Sequence, residues 1–100
     1  METTIENIDG VKRLKITVQG IFREKESRQL KDIVLEKISN VGSVELNLWD
    51  IEEIDITGIQ VCYSIRDYCK RNKVAINISV HLSQTVSQLL ARCGLNNILN

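Results

Sequence analysis

Apolar and polar residues alternate with a period of two at three places along the chain. Leu14, Ile16 and Val18 interleave with Lys15, Thr17 and Gln19. Val44, Leu46 and Leu48 interleave with Glu45 and Asn47, and Val74, Ile76, Ile78 and Val80 with Ala75, Asn77 and Ser79. Each run predicts a strand with one face turned to a core. Gly20 is the expected end of the first run. Upstream, Ile5 and Ile8 precede Asp9-Gly10, a turn dipeptide, so a short strand should lead by a hairpin into the first run.

Between these runs the period lengthens to that of a helix. Leu30, Ile33, Val34 and Ile38 mark one helical face, with Lys31, Asp32, Glu36 and Lys37 outside it, Ser27 as the expected N-cap and Asn40 and Gly42 as the stop. From Gly58 to Asn72 one stripe carries Ile59, Cys62, Arg66 and Cys69, and another carries Val61, Ile65 and Tyr68. Paired stripes predict a helix buried over a wide surface. Ser83 is the expected cap of a last helix with Val86, Leu89, Leu90 and Cys93 inward, Gly94 at its C-terminal cap and Leu95, Ile98 and Leu99 as an apolar tail. The segment from Asp50 to Asp55 reads as an acidic loop with its isoleucines turned inward and Glu52 and Glu53 solvated; His81 reads as a residue of the loop before the last helix. The resulting order, β-β-α-β-α-β-α, predicts an α/β fold: a mixed, mostly parallel sheet of about four strands packed against about three helices.

Composition narrows what such a fold could do. At 100 residues the expectation is a single domain spanning 1–100. The charges balance, 13 basic against 13 acidic, which argues against a broad electrostatic grip on nucleic acid or anionic membrane. Three cysteines without a CxxC spacing, Cys62, Cys69 and Cys93, read as small buried hydrophobes in a reducing compartment. The polar, acidic N-terminus is unlike a signal peptide, and no apolar run approaches the ~20 residues that span a bilayer. The expected location is therefore cytoplasmic. There is one histidine, no nucleophile–histidine–acid set, no phosphate-binding glycine loop and no metal-ligand spacing. The chain is accordingly expected to be no enzyme and to need no cofactor. Trp49, after the central strand, could anchor an interface or cover the end of the sheet, and Tyr63 and Tyr68 read as packing or helix-surface residues.

One junction stands out. Asp55-Ile56-Thr57-Gly58-Ile59 puts a hydroxyl at the mouth of a helix, where free N–H groups and the positive dipole end favour an anion. Thr57 can be a plain cap or a phosphorylation acceptor there.

The stretch from Val44 to Leu95 resembles the STAS domain of anti-sigma factor antagonists. The resemblance rests on Leu46-Asn47-Leu48, the passage to Asp55-Ile56-Thr57-Gly58, the helix after it, Val74-Ala75-Ile76-Asn77-Ile78, and the closing helix with Gly94-Leu95. It implies the STAS fold and a partner switch. The unphosphorylated protein would bind an anti-sigma factor that is also a serine/threonine kinase. That kinase would inactivate it by phosphorylating Thr57, and a phosphatase would restore it. Asp55 and Gly58 would shape the turn, and Arg23, Glu24, Ile56 and Ile59 would belong to the docking surface. Ile56 stands where the family carries another hydroxyl, Arg23 where it often carries an acid, and the chain ends at Asn100, short of the family's usual extent. The resemblance leaves a second reading open: a STAS accessory subunit of a transporter ATPase or a signalling scaffold, working without phosphate.

Overall fold

The computed structural model describes residues 1–92. The strands are β1 (Glu2–Ile8), β2 (Val11–Phe22), β3 (Ser43–Ile54) and β4 (Ala75–Leu82), and the helices α1 (Glu24–Lys37), α2 (Ile56–Arg71) and α3 (Gln84–Arg92), with a 3-10 turn at Ile38–Asn40 after α1. One four-stranded sheet runs in the order β1-β2-β3-β4. β1 pairs antiparallel with β2, and β2, β3 and β4 pair parallel. The predicted order of elements and the mixed, mostly parallel sheet are those observed. Asp9 and Gly10 turn the first hairpin with φ of 52° and 82°, the two left-handed positions that a tight hairpin turn of this twist requires.

Each parallel crossover advances to the next strand in the same direction. Right-handed crossovers then put α1 and α2 on one face of the sheet. That face carries Leu14, Ile16, Val18, Val44, Leu46 and Leu48, none more than 2% exposed. They share a core with Leu30 and Val34 of α1 and with Ile59, Cys62, Ile65 and Cys69 of α2. Fully burying side chains of this size stabilises by roughly 1.5–3 kcal/mol each.

The structure corrects several sequence expectations. Ser27 is not a cap: α1 starts at Glu24 with Arg23 as N-cap, and Ser27 sits buried in the first turn, its Oγ donating to the Arg23 carbonyl at 2.8 Å. The Glu26 carboxylate accepts the Arg23 N–H at 3.0 Å, and Glu24 and Glu26 favour the positive end of the helix. Gly20 does not end β2. At φ 80° it forms an irregularity between Gln19 and Ile21, and the strand continues to Phe22. The acidic loop is also strand. β3 runs through to Ile54, and the residue that breaks its alternation is Asp50, at φ 51°, inside the register shift between Leu48 and Ile51. The extra residue lets Leu48 and Ile51, three positions apart, both face the core.

α2 begins at Ile56, two residues before the expected Gly58. β4 extends to Leu82 and so includes His81. Ser83 does cap α3, accepting the Val86 N–H on its Oγ at 3.2 Å, and the Ser83 N–H donates to the Ile51 carbonyl at 2.9 Å. Val86 and Leu90 are buried, whereas Leu89, expected inward, is 54% exposed. The expectations for Cys93, Gly94, Leu95, Ile98 and Leu99 lie outside the described residues.

Candidate functional site

α1, α2 and α3 all start at the carboxyl end of the parallel strands, where open α/β sheets carry their sites. The start of α2 is the most organised of the three. Asp55 is its N-cap in extended conformation. One carboxylate oxygen, Oδ1, accepts the Thr57 N–H at 3.0 Å and the Gly58 N–H at 3.3 Å. The same oxygen accepts the Thr57 hydroxyl. That hydroxyl bond, aided by backbone N–H bonds from Gly58, Thr57 and Glu24 and opposed by partial desolvation, holds the Asp55 carboxyl below its ordinary range.

Gly58 has a different job. A Cβ there would lie 2.7 Å from the Phe22 carbonyl oxygen and 3.1 Å from the Phe22 ring. The first turn of α2 therefore rests directly on the end of β2, and only a residue without a side chain allows that approach. Ile59, next along the helix, is 4% exposed. It is a core residue, not part of a docking surface, because the fourth residue of α2 points inward at this crossing. Ile56 by contrast is 57% exposed, and Thr57 is half-buried.

Arg23 and Asp55 line one shallow depression together with Glu52, Glu53, Ile54, Thr85, Val86 and Leu89. Arg23 Nη1 stands 3.5 Å from Glu53 Oε2, with both side chains more than half exposed; such a pair contributes little to stability. Glu24 makes a second exposed pair with Arg28 one turn along. The structure thus gathers Arg23, Glu24, Asp55, Thr57 and Gly58 at one end of the sheet. It adds Thr85 and Leu89, which the sequence did not single out for a site, and Glu53, which the sequence read as a solvated residue of an acidic loop. Leu89 sits on the apolar pattern of α3 and was indistinguishable there from a core residue. Glu53 was read as a loop residue because the bulge at Asp50 conceals its strand.

Other candidates resolve more simply. Cys62 and Cys69 are 2% and 0% exposed. Burial pushes the Cys62 thiol up to about 12 against a smaller opposing effect of Arg66, and burial raises Cys69 as well. Tyr68 is partly buried against the core, and Tyr63 lies on the outer surface of α2. Trp49 is 53% exposed and stacks on His81, ring centroids 4.5 Å apart at 21°, on the sheet face opposite the helices. Among the described residues no helix is long and apolar enough to cross a membrane.

Several solved structures resemble this chain, three of them as follows. The unphosphorylated anti-sigma factor antagonist SpoIIAA matches with a TM-score of 0.64 at 14% identity, covering 95% of this chain and 83% of its own. A sulfate transporter family protein from Wolinella succinogenes matches with a TM-score of 0.63 at 19% identity, covering 86% of this chain and 70% of its own. Mglu matches with a TM-score of 0.63 at 20% identity over 75% of this chain; the chain spans only 18% of the length of Mglu. No protein-family model and no curated protein sequence matches the chain. The fold is therefore that of STAS domains, the class to which the order of elements and the helix-mouth motif pointed.

Proposed function

We propose that this chain is a regulatory binding domain that docks a protein partner at the end of the sheet where α1 and α2 begin. Phosphoryl transfer to Thr57 then releases the partner. The partner class this reading favours is an anti-sigma factor with serine/threonine kinase activity, with a phosphatase resetting the switch. The observation that carries it is the Thr57 hydroxyl, at the positive end of α2 and hydrogen-bonded to a carboxylate held in its ionised form. The likeness to SpoIIAA adds support.

The chemistry is consistent from both sides. Phosphoryl transfer must remove the Thr57 hydroxyl proton, and that hydroxyl already donates a hydrogen bond to the Asp55 carboxylate. Once attached, the phosphate brings about −1.5 to −2 charges beside Asp55, Glu52 and Glu53. It would face α2 N–H groups that favour it and a neighbouring carboxylate that does not. Arg23, in the same depression and only weakly paired with Glu53, is the cation that would turn to the phosphate. Exposed Ile56 and Leu89 would then border a strongly charged group, and a partner that docked on them would meet a desolvation cost.

A second reading is favoured by the same hydrogen bond. Thr57 completes the cap of α2, a structural role that needs no phosphate. It suits an accessory subunit of a transporter or a scaffold, and the likeness to a sulfate transporter family protein fits it. A pull-down from the native organism with wild type, Thr57→Ala and Thr57→Asp separates the two. The switch predicts a partner held by wild type and Thr57→Ala and lost by Thr57→Asp. Equal capture by all three would refute it in favour of phosphate-independent docking.

A further inference from the structure

β4 is an edge strand: among the described residues nothing pairs with its outer side. Proteins commonly guard such edges with charges, proline or bulges. The eight residues AINISVHL of β4 contain no Asp, Glu, Lys, Arg or Pro. The opposite edge, β1, carries Glu2 and Glu6. Only one edge of this sheet is therefore guarded by charge.

The direction of the free backbone groups can be read from the structure. The Ala75 N–H points toward β3, donating to the Gly42 carbonyl at 3.2 Å. Alternation along the strand then turns Asn77, Ser79 and His81 to β3, and Ile76, Ile78 and Val80 present their N–H and C=O groups outward. The side chains of Ile76, Ile78 and Val80 lie on the helix-covered face but are only partly buried. A partner on this edge would satisfy both the backbone groups and the apolar side chains.

We infer that the β4 edge binds a second copy of this chain, antiparallel about a twofold axis at Ile78, joining two sheets into one. The regular part of β4 sets this register, since its pairing with β3 is unbroken from Ala75 to Val80 and shifts before Leu82. Ile78 meets the partner's Ile78, and Ile76 meets the partner's Val80, continuing the apolar layer across the axis. On the opposite face Asn77 meets the partner's Ser79, a neutral hydrogen-bonding pair. Ala75 meets the partner's His81, leaving room for the ring stacked on Trp49. The twofold opposes no like charges. The same operation on β1 would bring together strands that each carry Glu2 and Glu6. This inference stands apart from the role of Thr57.

Sedimentation velocity across a wide dilution range tests it, using the full chain and two double variants at exposed positions. Asn77→Lys with Ser79→Lys puts like charges opposite each other across the axis; Asn77→Lys with Ser79→Glu puts opposite charges there. Wild type is expected to dimerise reversibly, the double-lysine variant to dimerise about tenfold or more weakly, and the Lys/Glu variant to keep the dimer. Circular dichroism establishes that each variant is folded; if the double-lysine chain is not, Asn77→Glu with Ser79→Glu, like charges at the same exposed positions, takes its place. A wild-type monomer at every concentration, meaning a different occupant of the edge, would overturn the inference. So would a like-charged variant that dimerises as well as wild type, or loss of the dimer in the Lys/Glu variant.

Discussion

Replacing Gly58 with alanine separates two explanations for a glycine in the first turn of α2. Helix propensity alone predicts a gain, since alanine is favoured over glycine in a helix by up to about 1 kcal/mol. The packing predicts a loss. The new Cβ would stand 2.7 Å from the Phe22 carbonyl oxygen, where ordinary contact begins at 3.4 Å, so helix and strand must separate by about 0.7 Å. The obstacle is backbone, fixed in the ladder of β2, with the buried Phe22 ring behind it. Overpacking of this kind costs about 1–3 kcal/mol, and an unyielding neighbour argues for the upper half of that range. After the propensity gain the net loss is about 1–2 kcal/mol, which lowers the melting temperature of a chain this size by about 4–16 °C. Calorimetry of wild type and Gly58→Ala measures it. An unchanged or raised melting temperature would refute the close approach of α2 to β2 as the reason for the glycine.

Three further outcomes follow from the same geometry. Asp55→Ala removes the cap of α2 and should cost about 1–2 kcal/mol in denaturant unfolding; because the fold lowers the Asp55 pKa, its ionised contribution is complete above about pH 4 and is lost as pH falls through the lowered value, so Asp55→Asn should flatten the acid limb of stability against pH. Asp50 holds φ at 51°, so Asp50→Val should destabilise by about 1–2 kcal/mol and Asp50→Gly should be far milder, as read by thermal melts. The thiols of Cys62 and Cys69 are buried with raised pKa values, so a thiol reagent should label them only as the chain unfolds; rapid labelling of either in native protein would contradict their burial.

The order of elements was legible because strand and helix periods are strong signals in Leu14–Val18, Val44–Leu48 and the stripes of α2. The errors in β2 and β3 have one common cause. At Gly20 and Asp50 the strands carry an irregularity, and a period of two cannot be followed through it. An acidic stretch with isoleucines three apart then reads as loop, although Ile51 is fully buried. The site was partly legible for a related reason. Asp55, Thr57 and Gly58 are adjacent in sequence, and their helix-mouth chemistry is local. Glu53, Thr85 and Leu89 come together with Arg23 only through the crossing of β3, α3 and the β2–α1 junction, which no local pattern encodes. Ile59 lies on a stripe of α2 that the helical period marked for burial, and it is buried; only the resemblance placed it on a docking surface.

The central claim is that modification of Thr57 governs docking. The most direct measurement is mass spectrometry of the protein purified from its native cells with its bound partners, after separation of phosphorylated from unmodified chains. The account predicts a phosphoryl group on Thr57 in one fraction and a partner retained only by the other. Phosphate on a different residue, or equal partner retention by both fractions, would contradict it.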